Sequence, residues 1–270
     1  MIEIREARSA LDLKSVESLQ RAIWGAADID ILSPLSLRAA IETGAPLLGA
    51  YDGAEMIGFS YGFLGLHNAQ IEVHSDMTGL LPAYRDLGIG YKLKLAQRAW
   101  CLTRGIRLAT WTFDPLRSRN AYFNFWKLGA TSASYRVNFY GDDSTSFLHR
   151  NSTDRLWITW ELDSPRVVDR LAGGTPEEIE GQVYIGPSES NRPVTHQLPS
   201  GAKAVIEVPR DPDAIEAESL ALAREWRTAT RAGFLALMEA GFVVTNSKNG
   251  RYQLERGVLY SSRYLHEMGS

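Results

Sequence analysis

The sequence holds one cysteine, Cys101, and five histidines in 270 residues. One cysteine excludes an intrachain disulfide and a cysteine-based metal site. The histidines are scattered without H-x-H or H-x-x-x-H spacing, so no metal is expected. No apolar run is long enough to span a bilayer, and a membrane partner is not expected. The opening "MIEIREARSALDLK" carries acids early and lacks the apolar core of a secretory leader, which makes a cytoplasmic location the default. An excess of one charge is lacking too: 29 Lys and Arg stand against 32 Asp and Glu, with signs interspersed. A nucleic-acid binder usually shows a basic stripe, so no nucleic-acid partner is expected.

What is present suits a soluble globular chain with ample core, at 44% hydrophobic and 23% charged residues. "IEIRE" alternates and reads as a strand. Ser9 caps a helix with Leu13, Val16, Leu19, Gln20 and Ile23 near one face. "SPLSLRAAIETG" offers Ser33 as N-cap, Pro34 at the first helical position and Gly44 past the end. Asp52-Gly53 between apolar runs signals a hairpin. Residues 71–81, "IEVHSDMTGLL", read as a strand. Ile89, Leu93, Ala96, Trp100 and Thr103 form a helical stripe closed by Gly105. "RLATWTF" is a strand, "SRNAYFNFWKLG" a helix closed by Gly129, and "YRVNFYG" and "LWITWEL" are strands. Helices between strands imply a mixed α/β sheet with helices packed on it.

Composition shifts after Leu162 into a Pro- and Gly-bearing connector. Beyond it come strands at "VYIG" and "AVIEVP", a helical region from Pro212 to Ala240, and strands at "FVVTN" and "RYQLE". The expected division is residues 1–164 and a smaller α/β domain, 165–270. "LMEAGFVV" echoes "FWKLGATS", which leaves a degenerate second copy of the first unit open.

"YRDLGIGYKLK" sits where a strand gives way to a helix. A dinucleotide fingerprint fails because Leu93 stands where a third glycine is needed, and Lys92 lacks the Gly-Lys-Ser/Thr context of a Walker loop. The remaining reading is Arg85 to Gly90 as an R-x-x-G-x-G anion loop. Successive N–H groups and the positive helix end would bind an anion there, and glycines let it come close. The plain alternative is a glycine turn without a ligand.

"SDMTGLLPAYRDLGIGYKLKLAQRAW" resembles the signature segment of the GNAT N-acyltransferase superfamily. "SRNAYFNFWKLGA" resembles that family's later helix, and "YRVNFYG", "STDRLWITWELDSPR" and "IEVPRD…LAREWRTATRAGF…GFVV" resemble a two-domain subgroup of it. The resemblance implies a GNAT-fold mixed sheet with flanking helices, and acetyl-CoA or succinyl-CoA as acyl donor. It implies that Arg85, Asp86, Leu87, Gly88, Ile89 and Gly90 hold the pyrophosphate. Thr78, Gly79, Leu80 and Leu81 would pair with the pantetheine arm and polarise the thioester. Asn120 would also meet the cofactor. The family's tyrosine acid falls on Phe125, a departure that points to Tyr122 or Tyr140, or to no acid at all.

In a regular strand Glu72, His74, Asp76 and Thr78 share one face. Transfer to an amine needs a base, directly or through water, and His74, Asp76 and Glu72 are the candidates. The plain alternative is a wet sheet face. Asp114 ends the next strand and either faces the substrate, as Glu72 would, or starts a turn before Pro115. Arg117 and Arg119 either fork a substrate carboxylate or are solvated. Arg224, Arg227 and Arg231 form a basic helix stripe, read as a solvated or ion-paired face. Cys101 reads as buried filler. The expected activity is acyl transfer to a small-molecule amine, such as an amino acid. The alternatives are a non-catalytic acyl-CoA-binding module and a plain nucleotide binder. A homodimer is compatible with the sequence.

Overall fold

The structure is a computed structural model that describes residues 1–67, 69–141 and 151–257. Packing divides it into two units within one strand: Met1–Trp111, and the described residues from Thr112 onward. The expected boundary at 164/165 follows composition, whereas this division follows contact.

The first unit runs β1 (Ile2–Glu6), α1 (Ala10–Trp24), α2 (Pro34–Glu42), β2 (Leu47–Asp52), β3 (Glu55–His67), β4 (Gln70–Leu80), α3 (Ile89–Leu102) and the start of β5 (Leu108–Phe113). The α/β class read from the sequence is the one observed. Strands β1 to β4 pair antiparallel in chain order, and β5 pairs parallel to β4. A parallel neighbour needs a crossover, and α3 supplies it.

Helix α1 starts where Ser9 and Asp12 form a reciprocal capping box: Ser9 Oγ accepts from Asp12 N–H, and Asp12 Oδ2 accepts from Ser9 N–H. Tyr51 Oη donates to Asp12 Oδ1 at 2.8 Å, tying the cap to β2. Leu13, Val16, Leu19 and Ile23 then bury one face of α1 against Tyr51, Met56, Phe59 and Tyr61. Ser33 and Pro34 start α2 as expected, and Gly53 turns the β2–β3 hairpin at φ +59°.

The second unit holds α4 (Ser118–Ala121), continued by a π-helical turn Tyr122–Lys127, then β6 (Thr131–Arg136), β7 (Arg155–Glu161), α5 (Pro165–Leu171), β8 (Gln182–Pro187), β9 (Pro193–Thr195), β10 (Lys203–Glu207), α6 (Pro212–Glu218), α7 (Leu220–Glu239), β11 (Phe242–Lys248) and β12 (Arg251–Arg256). Two expectations change. "YRVNFYG" leaves strand geometry after Arg136 and turns through Tyr140. The helical region 212–240 breaks at Ser219, whose extended backbone ends α6 and whose Oγ caps α7 through Leu222 N–H. Arg117 holds the N-cap position of α4 without a capping side-chain bond, and Ser118 Oγ donates to the Arg210 carbonyl at 2.9 Å. No helix among the described residues is long and apolar enough to cross a membrane.

The interior of the second unit holds arginines forked onto carboxylates. Arg227, 4% exposed, donates both Nη groups to Asp114 at 2.7 and 2.8 Å. Arg231 forks Asp154 through Nε and Nη2, and Tyr135 Oη donates to Asp154 Oδ2. Burial works to lower the Arg227 pKa, but the Asp114 charge and its hydrogen bonds more than offset this and raise it. Breaking such a pair strands a charge. Arg227→Met is expected to lower unfolding free energy by about 3–5 kcal/mol in urea titrations.

Candidate functional site

The loop before α3 is shaped by two residues with positive φ, Asp86 at +66° and Gly88 at +74°. Gly88 takes the N-cap position of α3 in a left-handed conformation, which favours glycine. The first helical bond joins Lys92 N–H to the Gly88 carbonyl, so the N–H groups of the opening turn lie outside the helix's own ladder. Arg85 and Leu87 are exposed around this turn, while Ile89 is buried and anchors it.

Gly88 therefore has an internal explanation, but Gly90 has none. It adopts no positive φ, and an added Cβ would meet only Leu80 Cδ1, at an ordinary 3.8 Å. The chain leaves open a space that its own packing does not need. A helix N-terminus with a bare backbone and open space suits an anion of phosphate type.

Strand β4 leads into this loop. Its pairing with β5 is confined to Val73 with Ala109 and His74 with Thr110. From Ser75 to Leu80 it pairs only with β3, with Ser60 opposite Thr78, Phe59 opposite Gly79 and Gly58 opposite Leu80. The β5-facing edge of Thr78–Leu80 thus offers backbone donors and acceptors that no β5 ladder uses. Gly79 has a packing reason for its missing side chain, since a Cβ there would stand 2.7 Å from the Trp24 ring.

The expected shared face of Glu72, His74, Asp76 and Thr78 is not what forms. Tyr61 pairs with Met77 and Phe63 with His74, so three steps on β4 oppose two on β3. This is a bulge at Ser75–Asp76, and it reverses the alternation beyond it. Glu72 and His74 therefore share their face with Met77, while Thr78 lies on the other face and hydrogen-bonds Ser60 at 3.0 Å.

The structure joins two of the candidate bases through a third group. Thr110 Oγ1 donates to Glu72 Oε1 at 3.1 Å and lies 3.0 Å from His74 Nδ1. With its one proton given to Glu72, Thr110 can only accept from His74, which fixes the neutral ring as the Nδ1–H tautomer. Nε2 is then the basic nitrogen. The ring is 8% exposed and lies tilted on Phe63, with centroids 5.1 Å apart. Nothing in the sequence spacing announced Thr110; it reaches His74 only through the parallel register.

Asp76, at the bulge, is exposed, yet desolvation raises its carboxyl pKa above the ordinary 3.8. A recessed edge produces that combination: reachable by solvent but poorly hydrated. Its charge also helps raise the Tyr61 hydroxyl, after burial. Behind the bulge, Lys94 Nζ donates to Ser75 Oγ at 2.7 Å and to Gln97 Oε1 at 3.2 Å, and lies 4.0 Å from the centre of the Trp111 ring. The sequence stripe missed Lys94 and Gln97, which are buried where polar residues are ordinarily exposed. Cys101 is buried filler as expected, its thiol pushed up to about 12 by burial.

The remaining candidates lie in the second unit. Asp114 is gripped by Arg227 and also accepts from Leu116 N–H, so it starts the turn and ends an ion pair at once. Arg117 pairs with Asp213 of α6. Arg119 and Asn120 are exposed. Phe125 is fully buried against Phe113 and Tyr252. The Tyr122 ring stacks on Trp126. Tyr140 is exposed, bonds Thr112 Oγ1 at 3.1 Å and carries the Arg155 guanidinium over its ring.

No protein-family model matches the chain, and no curated protein matches it. Among solved structures it is similar to the ribosomal-protein-S18-alanine N-acetyltransferase of Escherichia coli, at 16% identity and TM-score 0.45, over 61% of this chain and 96% of that one. It is similar to the PaiA N-acetyltransferase of Thermoplasma acidophilum in complex with coenzyme A, at 21% identity and TM-score 0.41, over 60% and 99%. A third is a GNAT family acetyltransferase of Elizabethkingia anophelis with acetyl-CoA bound, at 18% identity and TM-score 0.44, over 59% and 97%.

Because desolvation raises the Asp76 pKa, the folded chain holds this proton more tightly than the unfolded chain does. Stability is therefore lost as pH rises from the unfolded value through the folded one. Asp76→Asn is expected to be more stable than wild type at pH 7, with the gap closing below the unfolded pKa, in urea midpoints measured across that range.

Proposed function

We propose that the chain is an acyl-CoA-dependent N-acyltransferase of GNAT type. The observation that carries this reading is the open β5-facing edge of β4 between His74 and Leu80, which leads straight into the glycine loop. One extended, hydrogen-bonding arm ending in a pyrophosphate suits that pair of features. The vacant space at Gly90 fits the anionic end. The N–H groups of the α3 opening turn and Arg85 would hold the pyrophosphate, and the backbone of Thr78–Leu80 would hold the pantetheine. Bound acyl-CoA would supply an acyl group already activated as a thioester.

The chain's own residues do the rest. His74 Nε2 takes a proton from the acceptor's ammonium before attack, or from the amine as it attacks, directly or through one water. Thr110 and Glu72 hold the ring in the tautomer that makes Nε2 basic. Asp76 attracts a cationic amine to the edge of β4. Free backbone N–H groups near Thr78 polarise the carbonyl. No side chain is assigned as acid for the thiolate, because Phe125 carries no hydroxyl and a thiolate near its ordinary pKa leaves unaided.

A primary amine on a small molecule, with an amino acid as one candidate, is the proposed acceptor, and an acetyl or succinyl group the proposed cargo. The pairing of Arg117 with Asp213 weighs toward acetyl, because it occupies a guanidinium that a succinyl carboxylate would need. The buried Phe125 favours one second reading, a module that binds acyl-CoA without transferring from it.

Release of free thiol from acetyl-CoA or succinyl-CoA across an amine panel separates these readings. Tight CoA binding with no thiol released for any amine supports the binding module. In an active wild type, His74→Gln is expected to lower kcat about 100-fold or more. Thr110→Val is expected to lower kcat about 10-fold, with KM for acyl-CoA unchanged, since it removes the acceptor that fixes the ring's tautomer and the donor to Glu72, neither of which is proposed to hold the cofactor. Gly90→Glu tests the cradle separately: CoA affinity in calorimetry should fall at least about 10-fold while the thermal midpoint holds. Unchanged affinity would remove the phosphate assignment.

A further inference from the structure

Helix α3 carries two polar side chains on its buried face, Lys94 at 4% and Gln97 at 0% exposure. Among the described residues no carboxylate lies within ion-pair distance of Lys94. Its bonds go to Ser75 Oγ and Gln97 Oε1, and its charge rests against the Trp111 ring. Gln97 Nε2 in turn donates to Ser60 Oγ at 3.4 Å, and Ser60 Oγ meets Thr78 Oγ1 at 3.0 Å. These four bonds form one line from α3 to both ends of a short stretch of β4. Ser75 is held directly and Thr78 is held through Gln97 and Ser60. Between them lies the bulge with Asp76, at the point where β4 leaves β5.

We propose that Lys94 is a positioning residue that clamps the β4 bulge to the helix behind it, setting where Asp76 and the backbone of Met77–Thr78 stand at the open edge. The inference rests on the acyltransferase reading for its catalytic meaning, but the clamp itself is a property of the fold. Ordinary core formation does not call for this arrangement. A lysine buried without a counter-charge is costly, and an apolar isostere is often as stable or more so. Burial pushes its ammonium down to about 7, against a small opposing effect of Cys101. A side chain kept under those conditions, with its bonds directed at the one irregular point of β4, acts on that point. The same helix begins with the anion loop, so one rigid element would set the heights of both the phosphate cradle and the acyl edge.

The test compares wild type with Lys94→Met, which keeps the stem and loses the donor, and with Lys94→Gln, which keeps a neutral donor. Two readouts are taken. Amide hydrogen exchange is expected to quicken in residues 75–78 of Lys94→Met while the rest of the first unit is unchanged and the thermal midpoint does not fall. In an active wild type, kcat is expected to fall about 10- to 100-fold, with KM for acyl-CoA within about threefold, as for a displaced reacting edge. Lys94→Gln should recover most of both losses. Unchanged exchange at 75–78, kcat within about twofold of wild type, or Lys94→Gln behaving like Lys94→Met would each overturn the proposal. If wild type transfers to no amine, the function reading fails separately and the exchange result alone decides the clamp. If Lys94→Met does not fold, Ser75→Ala with Lys94→Gln gives the same comparison.

Discussion

Everything proposed for this molecule depends on one irregularity, the point after His74 where β4 stops pairing with β5 and takes an extra residue against β3. A regular parallel ladder would consume the backbone groups of Thr78–Leu80, leaving nothing to offer a ligand. It would also keep Glu72, His74, Asp76 and Thr78 on one face, where four polar groups would have to be hydrated or paired together. The bulge distributes them instead. Glu72 and His74 are enclosed with Thr110, Asp76 is turned to solvent, and Thr78 faces Ser60 on the opposite side. Backbone geometry has separated one base, one carboxylate and one open edge that the sequence places within nine residues.

The second unit handles polarity differently. Two of its arginines fork carboxylates, Arg227 on Asp114 and Arg231 on Asp154. Further bonds bring loop backbone into the same cluster: Arg227 Nε donates to Asn151 O, and Asn138 N–H to Asp154 Oδ1. Of the candidate substrate contacts, Asp114 is held within this cluster by Arg227, and Arg117 pairs with the exposed Asp213. Such forks specify geometry more than they add stability, which suits a unit whose chain turns often between short strands.

Local signals were readable in the sequence because their causes are local. Ser9 with Asp12, Ser33 with Pro34, and Asp52 with Gly53 each fix a terminus or turn with groups a few residues apart. The glycine loop was readable for the same reason. The bulge was not, because it is a mismatch between two strands and no single strand encodes it. Lys94 and Gln97 were hidden by a sound rule, that charge and amide lie outside, which fails where partners such as Ser75 and Ser60 arrive from other elements. The stripe Arg224, Arg227, Arg231 was visible as spacing, but its acids lie more than seventy residues away in sequence. Phe125 was recognised as a departure, and its burial gives the reason a hydroxyl there would have no use.

The unclaimed space beside Gly90 has a consequence for anyone who tries to improve this protein. An alanine there would meet nothing closer than an ordinary contact, and the first turn of a helix favours it over glycine by up to about 1 kcal/mol. Any procedure that ranks substitutions by folded-state stability will choose this position early. The outcome of that choice would be a sturdier chain with its proposed anchoring point filled in. Such trade-offs between robustness and activity are common where a site needs emptiness.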